Sequence, residues 1–218
     1  MNTKLTIRGD AQRKRFLGQN NIECIAHLVL LPRQMIKCCC NNDITSDYYV
    51  FLYKPLFTEG KEDTFPAGPS CGKRFIELGM LSEPPLTNIF DNEVVHGRES
   101  SIGNHSHSSD NKIRLVDRMT PLNKEMYLAI SLLFMIWENP KNGALFNYML
   151  GIIKYPHSDI FKYKVKTLHN AIDSTRGRGE RTLHEMLKDM TEGKCKKYDF
   201  PLIREILKKE YNIVYPLI

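Results

Sequence analysis

Four of the six cysteines lie within residues 38–71, three of them adjacent, and no other feature narrows the folding options as much. Cys38, Cys39 and Cys40 are followed by Asn41-Asn42-Asp43, which is turn chemistry, and then by the aromatic and β-branched run from Tyr48 to Leu52. The pattern predicts a β-hairpin with the cysteines closing its first arm and Tyr48 to Leu52 returning as its second. Side chains alternate along a strand, so Cys38 and Cys40 are expected on one face and Cys39 on the other. Cys71-Gly72 precedes Lys73-Arg74-Phe75-Ile76-Glu77-Leu78, a short helical pattern. A knuckle and a helix start that bring thiolates together is how small zinc modules are built.

The expected metal ligands are therefore Cys38, Cys40 and Cys71, holding a structural zinc. A fourth ligand is not apparent. Arg74 stands where a second cysteine would follow Cys71, which leaves Cys24, His27 or His96 to complete the set. In outline the stretch resembles a degenerate zinc-ribbon or treble-clef element. The competing reading is a set of buried thiols acting as small hydrophobes. A disulfide framework is not expected, because the polar start Met1-Asn2-Thr3-Lys4-Leu5 has no export signal and points to a reducing, cytoplasmic setting. A thiol at a helix start can also have a depressed pKa, which would make Cys71 a nucleophile, though no histidine is nominated to serve it.

Hydrophobic residues make up 42% of the 218 and charged residues 26%, enough for a packed core without stapling the whole chain. No apolar run approaches the roughly 20 residues of a membrane span. The net charge of +6 is segregated: residues 1–40 carry 7 basic and 2 acidic side chains, residues 41–100 carry 5 and 10, and residues 154–218 carry 14 and 9. Residues 1–20, with Arg13-Lys14-Arg15, read as a basic arm or short helix. Residues 22–31 form an apolar run stopped by Pro32 and are expected as a strand, whereas residues 58–70 read as a loop. Residues 91–118 form a polar linker too poor in apolar side chains to offset its ordering entropy.

Helical periodicity dominates from there on. Thr120-Pro121 followed by Glu125 marks a helix start, and Met126, Ile130, Leu133, Phe134 and Trp137 recur at helical spacing. Leu145, Tyr148, Met149 and Ile152 mark a second helix, and Ser158 is placed to cap a third carrying Phe161, Val165, Leu168 and Ile172. Two more are expected near residues 180–190 and 200–211. The fold class expected is α+β, with a β-rich cysteine module over residues 21–90 and a helical bundle over residues 119–218.

Other motifs are weaker. Arg176, Arg178 and Arg181 lie in a glycine-flanked turn between two helices, and Lys196 and Lys197 lie in another. Together they form the candidate contact surface for phosphate or an acidic partner, against a reading as solvated turns. His105-x-His107 with Asp110 has metal-ligand residue types but sits in flexible sequence. Tyr48, Tyr49 and Tyr53 can stack on bases, although strand aromatics more often pair with one another. Signatures of serine hydrolases, P-loops and zincins are absent. The chain thus reads as a non-enzymatic cytoplasmic interaction protein, with a structural cysteine module and a basic helical module that binds a protein or nucleic acid. No membrane or small-molecule substrate is indicated. The alternative is a metal-dependent, nuclease-like hydrolase using the Arg176–Arg181 turn as a phosphate clamp.

Overall fold

Tyr48 to Leu52 are five consecutive buried residues, which only a strand covered on both faces can accommodate. The computed structural model, which describes residues 5–57, 62–90, 115–137, 143–173, 181–214 and 216–218, places them in the interior of a four-stranded sheet. In chain order the described elements are α1 (Gly9–Gln19), β1 (Asn20–Val29), β2 (Asp47–Pro55), β3 (Asp63–Ala67), α2 (Pro69–Gly79) and β4 (Leu86–Thr87). The helices α3 (Leu115–Arg118), α4 (Pro121–Ile136), α5 (Ala144–Lys154), α6 (Lys162–Asp173), α7 (Leu183–Met190) and α8 (Pro201–Tyr211) follow. The fold is mixed α+β.

The sheet order is β3-β2-β1-β4. Strand β2 runs antiparallel to β1 and β3, and β4 adds to β1 in parallel. The β1–β2 register shifts between Cys24 and Ala26, so Cys24 pairs with Phe51 and His27 with Tyr49. Tyr49, Phe51 and Tyr53 share one face. Phe51 stacks on Phe65 of β3 at 5.2 Å, and Phe16 of α1 and Phe75 of α2 close over them. On the opposite face β1 packs against α4 and α5, and Tyr127 of α4 donates its hydroxyl to the Ile25 carbonyl at 3.3 Å.

Two expectations about the first hundred residues are corrected here. The cysteines do not form a strand arm paired with Tyr48–Leu52. They sit in a small knuckle that closes on itself, with Ile44 N–H donating to Ile36 O, Cys38 N–H to Asn42 O and Asn41 N–H to Cys38 O. Asn41 takes a left-handed φ of 72°, which asparagine tolerates better than most residues. The pairing partners of β2 are β1 and β3. Within the expected loop of residues 58–70, residues 63–67 are strand β3, which sits at the sheet edge where Pro66 can be tolerated.

Helix α4 is buried nearly all round, which its apolar composition demands. It starts where Thr120 Oγ1 accepts from Asn123 N–H at 3.2 Å. Asn123 is fully buried and satisfied: its side chain donates to Pro156 O and Ser158 O and accepts from Ile160 N–H. That arrangement pins the turn at residues 156–158 and the two residues after it, so α6 begins at Lys162 and Ser158 does not cap it. Phe161 is exposed, and the buried stripe of α6 is Val165, Leu168 and Ile172. Glu125 caps α8 from a distance, accepting from Leu202 N–H and Ile203 N–H. Among the described residues no helix is long and apolar enough to cross a membrane.

Gly72 fixes how closely α2 lies on the sheet. A Cβ there would meet Tyr49 Cδ2 at 2.0 Å, and the ring is wedged between strand and helix. Gly72→Ala is expected to destabilise the protein by about 1–3 kcal/mol or more through overpacking. Thermal or urea unfolding will measure it, and an unchanged midpoint would mean that α2 does not rest on Tyr49.

Candidate metal centre

Three thiols converge where the knuckle, the start of α2 and helix α1 meet. The Sγ atoms of Cys38, Cys40 and Cys71 all lie within 4.8 Å of one another. The knuckle turn delivers the first two, in place of the strand alternation expected from sequence. Cys71 is the third residue of α2, whose first residue is Pro69. A tetrahedral zinc with sulfur at about 2.3 Å spaces its ligands about 3.8 Å apart, so a modest contraction suits these thiols to a thiophilic ion. Cys38 and Cys39 Sγ are already 3.8 Å apart.

The surroundings supply positive charge and donors. Gly68 N–H points at Cys38 Sγ at 3.4 Å, and Arg13 Nη2 donates to Cys71 Sγ at 3.3 Å. The Arg13 side chain is only 12% exposed, and its guanidinium lies 5.9 Å from the centroid of the Phe75 ring. Asp10 accepts from Arg13 at 3.1 Å and is itself clamped by Arg74, which also pairs with Glu77. Arg74 therefore orients the arginine that faces the thiols, through Asp10. The Arg74 contact, ahead of the weaker Arg13 one, holds the Asp10 carboxyl below its ordinary value.

The thiols titrate far apart. Cys38 is held down at about 4 by the Cys39 thiol donating to it and by backbone N–H groups of Cys40 and Gly68, against burial. Cys39 is pushed well up by giving that hydrogen bond and by burial. Cys71 is pushed up to about 11 by burial and by the neighbouring Cys38 charge, against the pull of Arg13. The depressed pKa expected for Cys71 from its place at a helix start is thus corrected: desolvation and a like charge outweigh the dipole. Cys38 is thus the thiolate-favouring member of this pair, and metal binding must displace the Cys71 proton.

Neither Cys24 nor His27 joins the cluster. Cys24 is buried in β1, and His27 Nε2 meets Asp47 Oδ2 at 2.6 Å while its ring stacks on Tyr49 at 3.9 Å. Tyr49 Oη donates to Glu83 Oε1 at 2.5 Å, so this second polar group ties the segment before β4 to the sheet. Nothing in the spacing of His27, Asp47 and Glu83 announces it; only the β1–β2 register does. His96, His105, His107, Asp110, Arg176 and Arg178 lie outside the described residues. Arg181, just before α7, pairs with Asp189 of that helix. Lys196 N–H donates to Ile89 O, its ammonium stands 6.0 Å from the Tyr198 centroid, and Lys197 is exposed.

Residues 6–213 match the model of the family described as Uncharacterised conserved protein UCP028583. The chain belongs to this family. The match takes in the cysteine cluster and every described helix and strand. No curated protein and no solved structure matches it.

The low Cys38 pKa has a consequence for the metal-free protein. A thiol whose pKa falls on folding, from about 8.5, contributes stability that is complete above the unfolded value and is lost as pH falls towards about 4. Cys38→Ser is expected to flatten the dependence of metal-free stability on pH between about 5 and 8. Cys195→Ser, outside the cluster, is expected to leave it unchanged. Urea midpoints measured across that range with chelator present decide the matter.

Proposed function

We propose that the protein is a non-enzymatic binding protein of the cytoplasm, built as a cysteine module and a helical module, with the cysteine module clamped by a structural zinc. The carrying observation is the all-sulfur donor set of Cys38, Cys40 and Cys71, reached from segments more than thirty residues apart. Such a set suits an ion that cross-links, since thiolates quench the Lewis acidity that a hydrolytic metal needs. Three thiolates around a divalent ion leave one negative charge, which the Arg13 guanidinium at Cys71 offsets. Cys39, whose Sγ lies 3.8 Å from that of Cys38, would be the candidate fourth ligand. When bound, the ion supplies a covalent-strength tie between the knuckle and α2. The chain's own residues do the rest: Gly68 N–H and Arg13 hold sulfur positions, and the Arg74–Asp10 pair holds Arg13. The helical module, with the basic surplus of residues 154–218, is the part that meets a protein or nucleic-acid partner.

Metal analysis of untagged full-length protein is expected to find one zinc per chain. Chelation is expected to lower the melting temperature, and Cys38→Ser and Cys71→Ser to lose the metal. Substituting cobalt for zinc tests the fourth ligand, because Cys39→Ser is expected to weaken the sulfur-to-metal absorption. Protein without metal, melting alike with and without chelator, would overturn the reading.

A further inference from the structure

Outside the cysteine cluster, the described surface exposes one group of aromatic side chains set among lysines. Phe161 and Tyr163, at the start of α6, are 68% and 57% exposed, and their rings stack on each other at 5.9 Å with planes 15° apart. Tyr155, at the end of α5 across the intervening turn, is 68% exposed. Residues 154–166 carry four lysines (154, 162, 164 and 166) against the single carboxylate of Asp159. Lys164 lies across the α5–α6 corner, its ammonium 5.0 Å from the Tyr148 centroid and 5.6 Å from that of Phe161, above Gly151, which leaves it room. Lys166 lies 4.9 Å from the Tyr211 ring of α8. Glu23 and Glu210 reach in to Lys154 and Lys162. Among the described residues no carboxylate pairs with Lys164 or Lys166.

Two large rings held in register in water gain nothing for the core, since Val165, Leu168 and Ile172 supply the buried stripe of this helix. We propose that Phe161 and Tyr163, with Lys164 and Lys166, form a binding surface for single-stranded nucleic acid. Bases stack on the exposed rings, and the two ammonium groups lacking carboxylate partners take the phosphates on either side. This is the surface chemistry that single strands require: π-faces, which any base can meet, flanked by cations, Lys164 towards α5 and Lys166 towards α8. A duplex hides its base faces and offers only its backbone, so it binds here more weakly. An anionic membrane would also attract lysines and aromatic rings. The charged Asp159 and Glu210 beside these rings count against burial in lipid, which would desolvate them. The inference rests on the proposed binding role of the helical module, and it is independent of the metal.

The test is fluorescence anisotropy of the full-length protein with labelled oligo(dT) and oligo(U) single strands. Expected are binding at low salt, a weaker signal for a duplex of equal length, and at least a tenfold loss in the F161A/Y163A double variant. K164Q/K166Q is expected to lower the slope of log affinity against log salt by about 1.4, two phosphates at about 0.7 each. Both substituted pairs are at exposed or half-exposed positions, and circular dichroism checks that the helices persist. No binding to either single strand at low salt, or equal binding by F161A/Y163A, overturns the proposal. Binding to phosphatidylserine vesicles without binding to the oligonucleotides also overturns it, in favour of a membrane contact. Zinc content measured on the same preparation keeps the readings apart. Zinc with no oligonucleotide binding sinks this inference alone, and oligonucleotide binding with no zinc sinks only the structural-metal reading.

Discussion

Two-sided burial of the central strand β2 governs the architecture. Five consecutive apolar or aromatic side chains without access to water need a helical layer on each face of the sheet, and the chain supplies both. On one face, α1 and α2 rest on a cluster of rings from Phe16, Phe51, Phe65 and Phe75, with touching rings 5.2 to 6.4 Å apart. On the other face, α4 and α5 meet β1, and the buried residues of the sheet and of the helices form one continuous apolar cluster. Gly72 is the narrowest point of this arrangement, because the helix can reach Tyr49 only where no side chain intervenes.

Polar side chains inside such a packed interior must be satisfied, and here they also place distant segments. Asn123 uses both ends of its amide to fix residues 156–160, which sets where α6 can begin. Gln34 donates to Met135 O and accepts from Leu31 N–H, pinning the approach to the cysteine knuckle against the end of α4. Glu125 replaces the missing local cap of α8. Each of these residues, if truncated, would leave buried backbone groups unpaired at a cost of about 1–3 kcal/mol.

These long-range polar ties explain which features were legible in the sequence. Helix α4 was readable because its signals are local: Thr120 as cap, Pro121 first, then an apolar run. The start of α6 was not, because Asn123, more than thirty residues away, claims the segment that holds Ser158. The strand Tyr48–Leu52 was readable from residue type, but its partner was not. Turn residues 41–43 close only a knuckle of a few residues, and the long pairing goes to β1, whose length matches. Strand β3 was hidden because Pro66 reads as a breaker unless the strand is known to lie at an edge. In the candidate site, Cys38, Cys40 and Cys71 stood out by type and spacing. Arg13 did not, since in Arg13-Lys14-Arg15 nothing distinguishes the one guanidinium that turns inward.

The sheet also stands between the cysteine cluster and the aromatic surface. The cysteine cluster belongs to the layer of α1 and α2, and its Cys39 backbone is bonded to the edge strand through Pro66 O. The Phe161–Tyr163 pair belongs to the opposite layer, where Lys154 of α5 meets Glu23 on the far face of β1. Between them stands the sheet, so a change in the cluster reaches the aromatic surface only by altering how firmly β1 and β2 hold their helices. A metal in the cluster would then act on the stability of the whole chain and leave the chemistry of the aromatic surface untouched. Stability gained in one layer can in this way support an exposed, energetically idle surface in the other, which a chain of this size would otherwise have reason to bury.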